Sequence, residues 1–176
     1  IGLGWNEVEY TALDQEFSNR GKRLEEQVQV LRELWTKPLV KLQGHWHHIP
    51  DAGINPLPVQ RPIPLWFGGS ADAMLARLAR LGDGWMPMYR RAEDAKPALE
   101  KIYTTMEKVG RKPQDLGIEP RLHYGPGDPE PWHEIIAGWQ TAGATHLSIN
   151  TMGCGFDTAQ KHLAAVKKFA GEIGLK

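Results

Sequence analysis

The sequence predicts an α/β protein of parallel βα units, the C-terminal portion of a TIM (β/α)8 barrel. Three observations predict it. First, short strand-like runs alternate with amphipathic helical runs from Ile63 onward, joined by connections of a few residues. Such alternation implies parallel strands with right-handed crossovers. Second, "FGGSADAMLARLARLGDGW", Phe67 to Trp85, reads as a strand end, a glycine bend, a helix and a glycine turn into the next strand. Third, the repeat count gives four such units, or five if "IGLGW" ends a further strand, against the eight of a barrel of roughly 250 residues. A small open sheet is the alternative, but no dinucleotide-type glycine fingerprint supports it.

The elements follow in order. The opening "IGLGWNEVEY" lacks an initiator methionine and starts apolar, so the reading expects an N-terminally truncated chain whose first residues end a strand. Ser18 to Trp35 carries Leu24, Val28, Leu31 and Trp35 at helical spacing, which predicts an amphipathic helix. Lys37 to Pro62 is rich in proline and glycine and reads as an irregular insertion with one short hairpin at most. Parallel strands are expected near residues 63–68, 84–88, 117–124 and 145–151, each followed by a helix. The helix in "AEDAKPALEKIYTTMEKVG" is entered through acidic residues and ended by Gly110. "DPEPWHEIIAGWQTAG" and "DTAQKHLAAVKKFAGEIG" supply the last two helices. Residues 1–176 are expected to form one domain, with the insertion at about 37–62.

Composition excludes several classes of function. The 21 lysines and arginines balance the 21 aspartates and glutamates, so no long-range field favours nucleic acid or acidic lipid. The longest apolar runs are a few residues, far short of a membrane span. Cys154 is the only cysteine, which excludes an internal disulfide and fits a reducing, cytoplasmic setting.

Two strands alternate in character. In "GIEPRLHY" the polar positions are Glu119, Arg121 and His123, and in "THLSINT" they are His146, Ser148 and Asn150. A parallel strand buried on both faces reads as continuously apolar, so these six residues are expected on one surface. That surface is either the inside of a curved sheet or a face open to solvent. Arg121 is expected to pair with Glu119 or with an acidic cofactor group. The Gly68-Gly69-Ser70 bend suits a phosphate: glycine frees the backbone, Ser70 can cap the helix, and a helix N-terminus presents N–H groups. A tight βα turn that binds nothing fits the same residues.

Other features carry less. In "GHWHHIP" His45 and His47 lie at strand spacing on one face, with His48 adjacent, which could chelate a divalent metal, but no third ligand such as Cys or Asp sits at a recognisable offset, so a surface hairpin is expected. Cys154 has no base to activate it and reads as a loop cysteine. Trp35, Trp66, Trp85 and Trp139 lie in helical or strand patterns, so packing accounts for them.

Taken in order, "GLGWNEVEY", "RGKRLEEQVQVLRELW", "INPLPVQRPIPLWFGGS", "ARLARLGDGW" and "GATHLSINTMG" resemble the bacterial-luciferase-like superfamily of flavin- and deazaflavin-dependent oxidoreductases. Within it they are most similar to the branch using coenzyme F420. The resemblance covers essentially the whole chain. It implies a flavin- or F420-dependent oxidoreductase or monooxygenase exchanging hydride between cofactor and a small organic substrate. F420 is the implied cofactor, with FMN as the alternative, and no metal is implied. Carried over by position, Gly68, Gly69 and Ser70 contact the cofactor phosphate, and Gly2, Gly4, Trp5 and Asn6 line the cofactor site. The turn Asp83 to Trp85 is structural. The family's first three strands would precede Ile1, and they carry its usual proton-transfer residues, so no catalytic residue is assigned. The alternative is a catalytically silent, phosphate-binding barrel fragment that self-associates. In either case a homo-oligomer is expected.

Overall fold

The computed structural model describes residues 1–125 and 132–175. Their contacts gather into two units, Ile1–Leu65 and Trp66–Lys176.

In the first unit, α1 (Glu7–Ala12) starts where Asn6 turns extended. The Asn6 side-chain oxygen accepts the Val8 N–H at 3.2 Å, and its amide donates to Glu9 at 3.1 Å. Glu7 and Glu9 add the negative charge that a helix start favours. α2 (Arg20–Thr36) buries Leu24 and Val28, one turn apart, as their spacing predicts. β1 (Val40–Gln43) and β2 (His48–Ala52) then form an antiparallel hairpin.

Glu26 of α2 clamps the tip of that hairpin. Its carboxylate accepts the backbone N–H groups of His45, Trp46 and His47 at 2.7, 2.9 and 2.6 Å, and the His47 ring Nδ1 lies 2.8 Å away. Gly44 precedes the tip because an added Cβ would land on this carboxylate. Desolvation pushes the Glu26 pKa up, but the hydrogen bonds from the His47 ring and the three N–H groups outweigh it and bring it down from 4.5 to about 2. A depressed carboxylate contributes stability that is complete above its ordinary value and lost as pH falls through the folded value. Glu26→Gln is therefore expected to lower the melting temperature at neutral pH. The gap to wild type should close as pH falls from 4.5 toward 2. Thermal unfolding across that range checks this, and a constant gap would contradict it.

The second unit alternates strand and helix throughout. β3 (Trp66–Gly68), α3 (Asp72–Leu81), β4 (Gly84–Met86) and α4 (Ala92–Lys108) lead to the short β5 (Gly117–Ile118) and β6 (Arg121–His123). After these come α5 (Trp132–Thr141), β7 (Ser148–Asn150) and α6 (Ala159–Glu172). β3, β4 and β5 pair in parallel in that order, and β6 pairs in parallel with β7. The strand expected over residues 117–124 is thus two strands, interrupted at Glu119 and Pro120. Proline has no N–H for a ladder. Backbone bonds bridge the interruption: Thr145 and His146 donate to the Ile118 carbonyl, and Ser148 donates to that of Pro120.

The two parallel sheets of this unit each have one apolar and one polar face. Phe67, Trp85, Ile118 and Leu122 are buried on the side of the helices, where Leu78, Ile102, Met106, Trp139 and Phe169 join them. Arg121 and His123 are exposed on the opposite side. In-register pairing puts Arg121 beside Ser148 and His123 beside Asn150, so the alternation read from the sequence is realised in β6 and β7. On the same polar face the Trp66 indole lies across Gly84 and Gly117, where a Cβ at either glycine would enter the ring. His146 meets that indole edge-on, with ring centroids 4.9 Å apart. Arg111 finishes α3 by donating to the carbonyls of Ala79 at 2.9 Å and Gly82 at 2.7 Å.

Candidate functional site

Parallel βα units converge their functional groups at the C-terminal ends of the strands. At the end of β3, Gly69 has φ +119°, a conformation that L side chains rarely adopt. Its carbonyl accepts the indole N–H of buried Trp85 at 3.0 Å. Gly68 leaves open space, since a Cβ there would meet nothing nearer than the Met86 carbonyl oxygen at 4.0 Å.

Ser70 does not cap the following helix. The N-cap is Ala71, whose carbonyl accepts the N–H groups of Met74 and Leu75 at 2.8 and 2.9 Å, and no side chain bonds at this cap. The helix opens one residue later than a Ser70 cap requires, leaving Ser70 exposed in the bend. The N–H groups of Asp72 and Ala73, in the first turn, have no intrahelical acceptor. The Asp72 carboxylate, which would oppose an anion there, is paired with Lys101 at 2.7 Å. The bend therefore has the features of an anion cradle: missing side chains, two N–H groups and a locally balanced charge.

Further along the same strand ends lies a cavity of about 290 Å³ lined by Pro87, Met88, Tyr89, Arg90, Arg121 and His123. The Arg121 side chain forms no ion pair with Glu119, the first of the two partners the sequence suggested, and has no hydrogen-bonding partner among the described residues, which leaves it available for the second, an acidic cofactor group. The break at Pro120 separates Glu119 from the β6 strand that carries Arg121. The neighbouring Arg91 is committed elsewhere: its 2.7 Å bond to Glu134 raises its pKa further. His123 Nδ1 lies 3.4 Å from the Asn150 amide nitrogen. Sequence reasoning singled out Arg121, His123 and Asn150 but missed Met88, Tyr89 and Arg90. The signal for these three was the run "PMYRR" directly after β4. Larger hollows of about 400 and 460 Å³ are lined by helix residues and connections, such as Ile136 and Ile173, or Lys96 and Tyr103.

Gly4, Trp5 and Asn6 belong to the first unit. Gly4 has φ +75° beneath the Tyr10 ring, and the Tyr10 hydroxyl donates to the Leu3 carbonyl. Trp5 is 87% exposed. Asn6 caps α1 with both ends of its side-chain amide, a structural role additional to the one the resemblance implies. His47 is engaged by Glu26, while Cys154 lies in a loop with its thiol 3.8 Å from the Met152 carbonyl oxygen. Asp83 supports the turn into β4, its carbonyl accepting the Gly117 N–H at 2.9 Å. No described helix is long and apolar enough to cross a membrane.

Comparison with known proteins gives a consistent picture. Residues 1–174 match the family described as luciferase-like monooxygenase. An uncharacterised protein of Mycobacterium tuberculosis is 34% identical over 116 residues, covering 63% of this chain and 39% of that protein. An F420-dependent glucose-6-phosphate dehydrogenase of Segniliparus rotundus is 33% identical over 122 residues, 66% of this chain and 35% of the relative. Among solved structures, an F420-dependent secondary alcohol dehydrogenase in complex with an F420-acetone adduct superposes with a TM-score of 0.61 at 17% identity. That match covers 96% of this chain and 59% of that one, and it speaks to fold alone. The chain spans less than two-fifths of the length of these two curated relatives.

Proposed function

Because the chain belongs to the luciferase-like monooxygenase family, we propose that it works in an F420-dependent oxidoreductase acting on a small organic substrate. The observation that carries this reading is the arrangement of the second unit. A glycine bend at the end of β3 and a basic cavity beyond β4 and β6 occupy the C-terminal strand ends of parallel βα units. In this reading Gly68, Gly69 and Ser70, with the N–H groups of Asp72 and Ala73, hold the cofactor phosphate. By the resemblance alone, Gly4, Trp5 and Asn6 of the first unit are assigned to cofactor binding as well. When bound, F420 supplies hydride exchange at its ring, as FMN would if it took the same place. Arg90, Arg121 and His123 hold the electronegative part of the substrate. The Segniliparus rotundus relative is named for glucose 6-phosphate, an anionic substrate of the kind that two arginines suit. A cytoplasmic homo-oligomer completes the reading, supported by Leu163 and Val166, which lie exposed on α6 beside buried Ala165 and Phe169.

Titration of the chain with F420 and with FMN, followed by fluorescence, tests the cofactor assignment. Saturable F420 binding that weakens with added salt is expected, because a phosphate contact is electrostatic. Arg121→Gln should leave that binding within about threefold, since Arg121 is assigned to substrate, and should weaken inorganic phosphate at the basic cavity by about tenfold or more. Absence of F420 binding would remove the cofactor reading.

A further inference from the structure

We propose that Asn150 is a positioning residue: it holds neutral His123 with its ring proton on Nε2, so that the cavity beside it presents hydrogen-bond donors and selects an acceptor group on the substrate. The inference rests on reading that cavity as the substrate's.

The Asn150 side-chain amide has two chemically distinct ends. Its Oδ1 accepts the Met152 N–H at 2.9 Å. A backbone N–H needs an acceptor, so this bond fixes which end of the amide is oxygen. The other end, Nδ2, carries only donors and faces His123 Nδ1 at 3.4 Å. Nδ1 must then offer its lone pair, and in a neutral imidazole the proton sits on Nε2. The in-register pairing of His123 with Asn150, and of Arg121 with Ser148, keeps these groups on one face of β6 and β7.

The chemistry of the cavity follows. His123 offers Nε2–H, and the guanidinium groups of Arg90 and Arg121 can only donate. Among the described residues no carboxylate lines this cavity. A carbonyl, carboxylate or phosphate oxygen is matched by this lining. An amine or ammonium group would find a single side-chain oxygen acceptor in this lining, the Tyr89 hydroxyl, against the donors of Arg90, Arg121 and His123, so the lining favours an acceptor group on the substrate. His123 is therefore a hydrogen-bond donor to substrate in the neutral state and does not act as a base through Nε2.

The test is the tautomer itself. In 15N-histidine-labelled full chain near pH 8.5, about two units above an ordinary histidine, long-range proton–nitrogen NMR distinguishes the two neutral forms. Loss of a signal in His123→Gln assigns the ring. Wild type should show Nε2–H predominantly. Asn150→Asp, whose carboxylate only accepts, should switch the ring to Nδ1–H, and Asn150→Ala should populate both forms. Inorganic phosphate, followed at the His123 resonance, should bind Asn150→Asp about tenfold or more weaker than wild type. A wild-type ring that is mixed or Nδ1–H would overturn the proposal whether or not any variant folds. An unchanged tautomer in a folded Asn150→Asp variant would do the same, and unchanged phosphate affinity would overturn the selection of acceptors. None of these readouts uses F420, so they fail or succeed separately from the cofactor titration.

Discussion

Gly68→Ala is expected to leave the fold intact and to weaken F420 binding about 10- to 100-fold, the value of one charged hydrogen bond of about 1.5–3 kcal/mol. The expectation depends on two different roles for adjacent glycines. At Gly68 a methyl group would meet only the Met86 carbonyl oxygen, at 4.0 Å, so the free protein has room for it. A phosphate seated on the bend would compete for that room. Gly69 differs, because its φ of +119° is strained for any L side chain. Gly69→Val should lower stability by about 1–3 kcal/mol as well as weakening the cofactor. Calorimetry beside the F420 titration separates the two effects. Unchanged F420 affinity in a folded Gly68→Ala variant would mean that the bend is a plain turn.

The second large effect concerns packing. Gly84→Val should destabilise the second unit by about 1–3 kcal/mol, the usual range for overpacking, because the new side chain enters the space of the Trp66 indole. Trp66→Ala alone should cost less than the roughly 3–5 kcal/mol of a fully buried tryptophan, since Trp66 is only half-buried. In the double variant the collision is gone. The two changes should therefore combine to less than their sum, by about 0.5–3 kcal/mol. Denaturant unfolding of the four proteins measures this, and strict additivity would show that ring and glycine do not share the site. Gly117→Val should behave in the same way, because the far edge of the same indole covers it.

These two cases mark what is legible in the sequence. Relations between residues close along the chain are readable. Leu24 and Val28 reveal the buried stripe of α2, and Arg121 and His123 reveal the polar face of β6 by parity alone. The order of βα units is readable for the same reason, as each unit is a local pattern. Relations made by folding are not readable. Trp66 covers Gly84 and Gly117 only because three strands lie side by side, and Glu26 reaches a hairpin tip about twenty residues away. Boundaries fall between these cases. The alternating pattern reads straight through Pro120, whereas the folded chain breaks there into β5 and β6. Ser70 had the chemistry of a cap, but the helix geometry chose Ala71. The Asn6 cap, with Glu9 three residues on, was a local signal of the capping-box kind.

The bond from the Trp85 indole to the Gly69 carbonyl has a consequence for dynamics. Trp85 is fully enclosed by the protein, so its indole proton can exchange with solvent deuterium only when the bend lifts from the strand beneath it. The lifetime of that single proton is thus an internal clock for opening of the bend. Local openings of a native protein span free energies from near zero up to that of global unfolding. A slowly exchanging Trp85 indole would place this bend among the rigid elements of the second unit, arranged before any anion arrives. A rapidly exchanging one would mean that the cradle assembles around its guest.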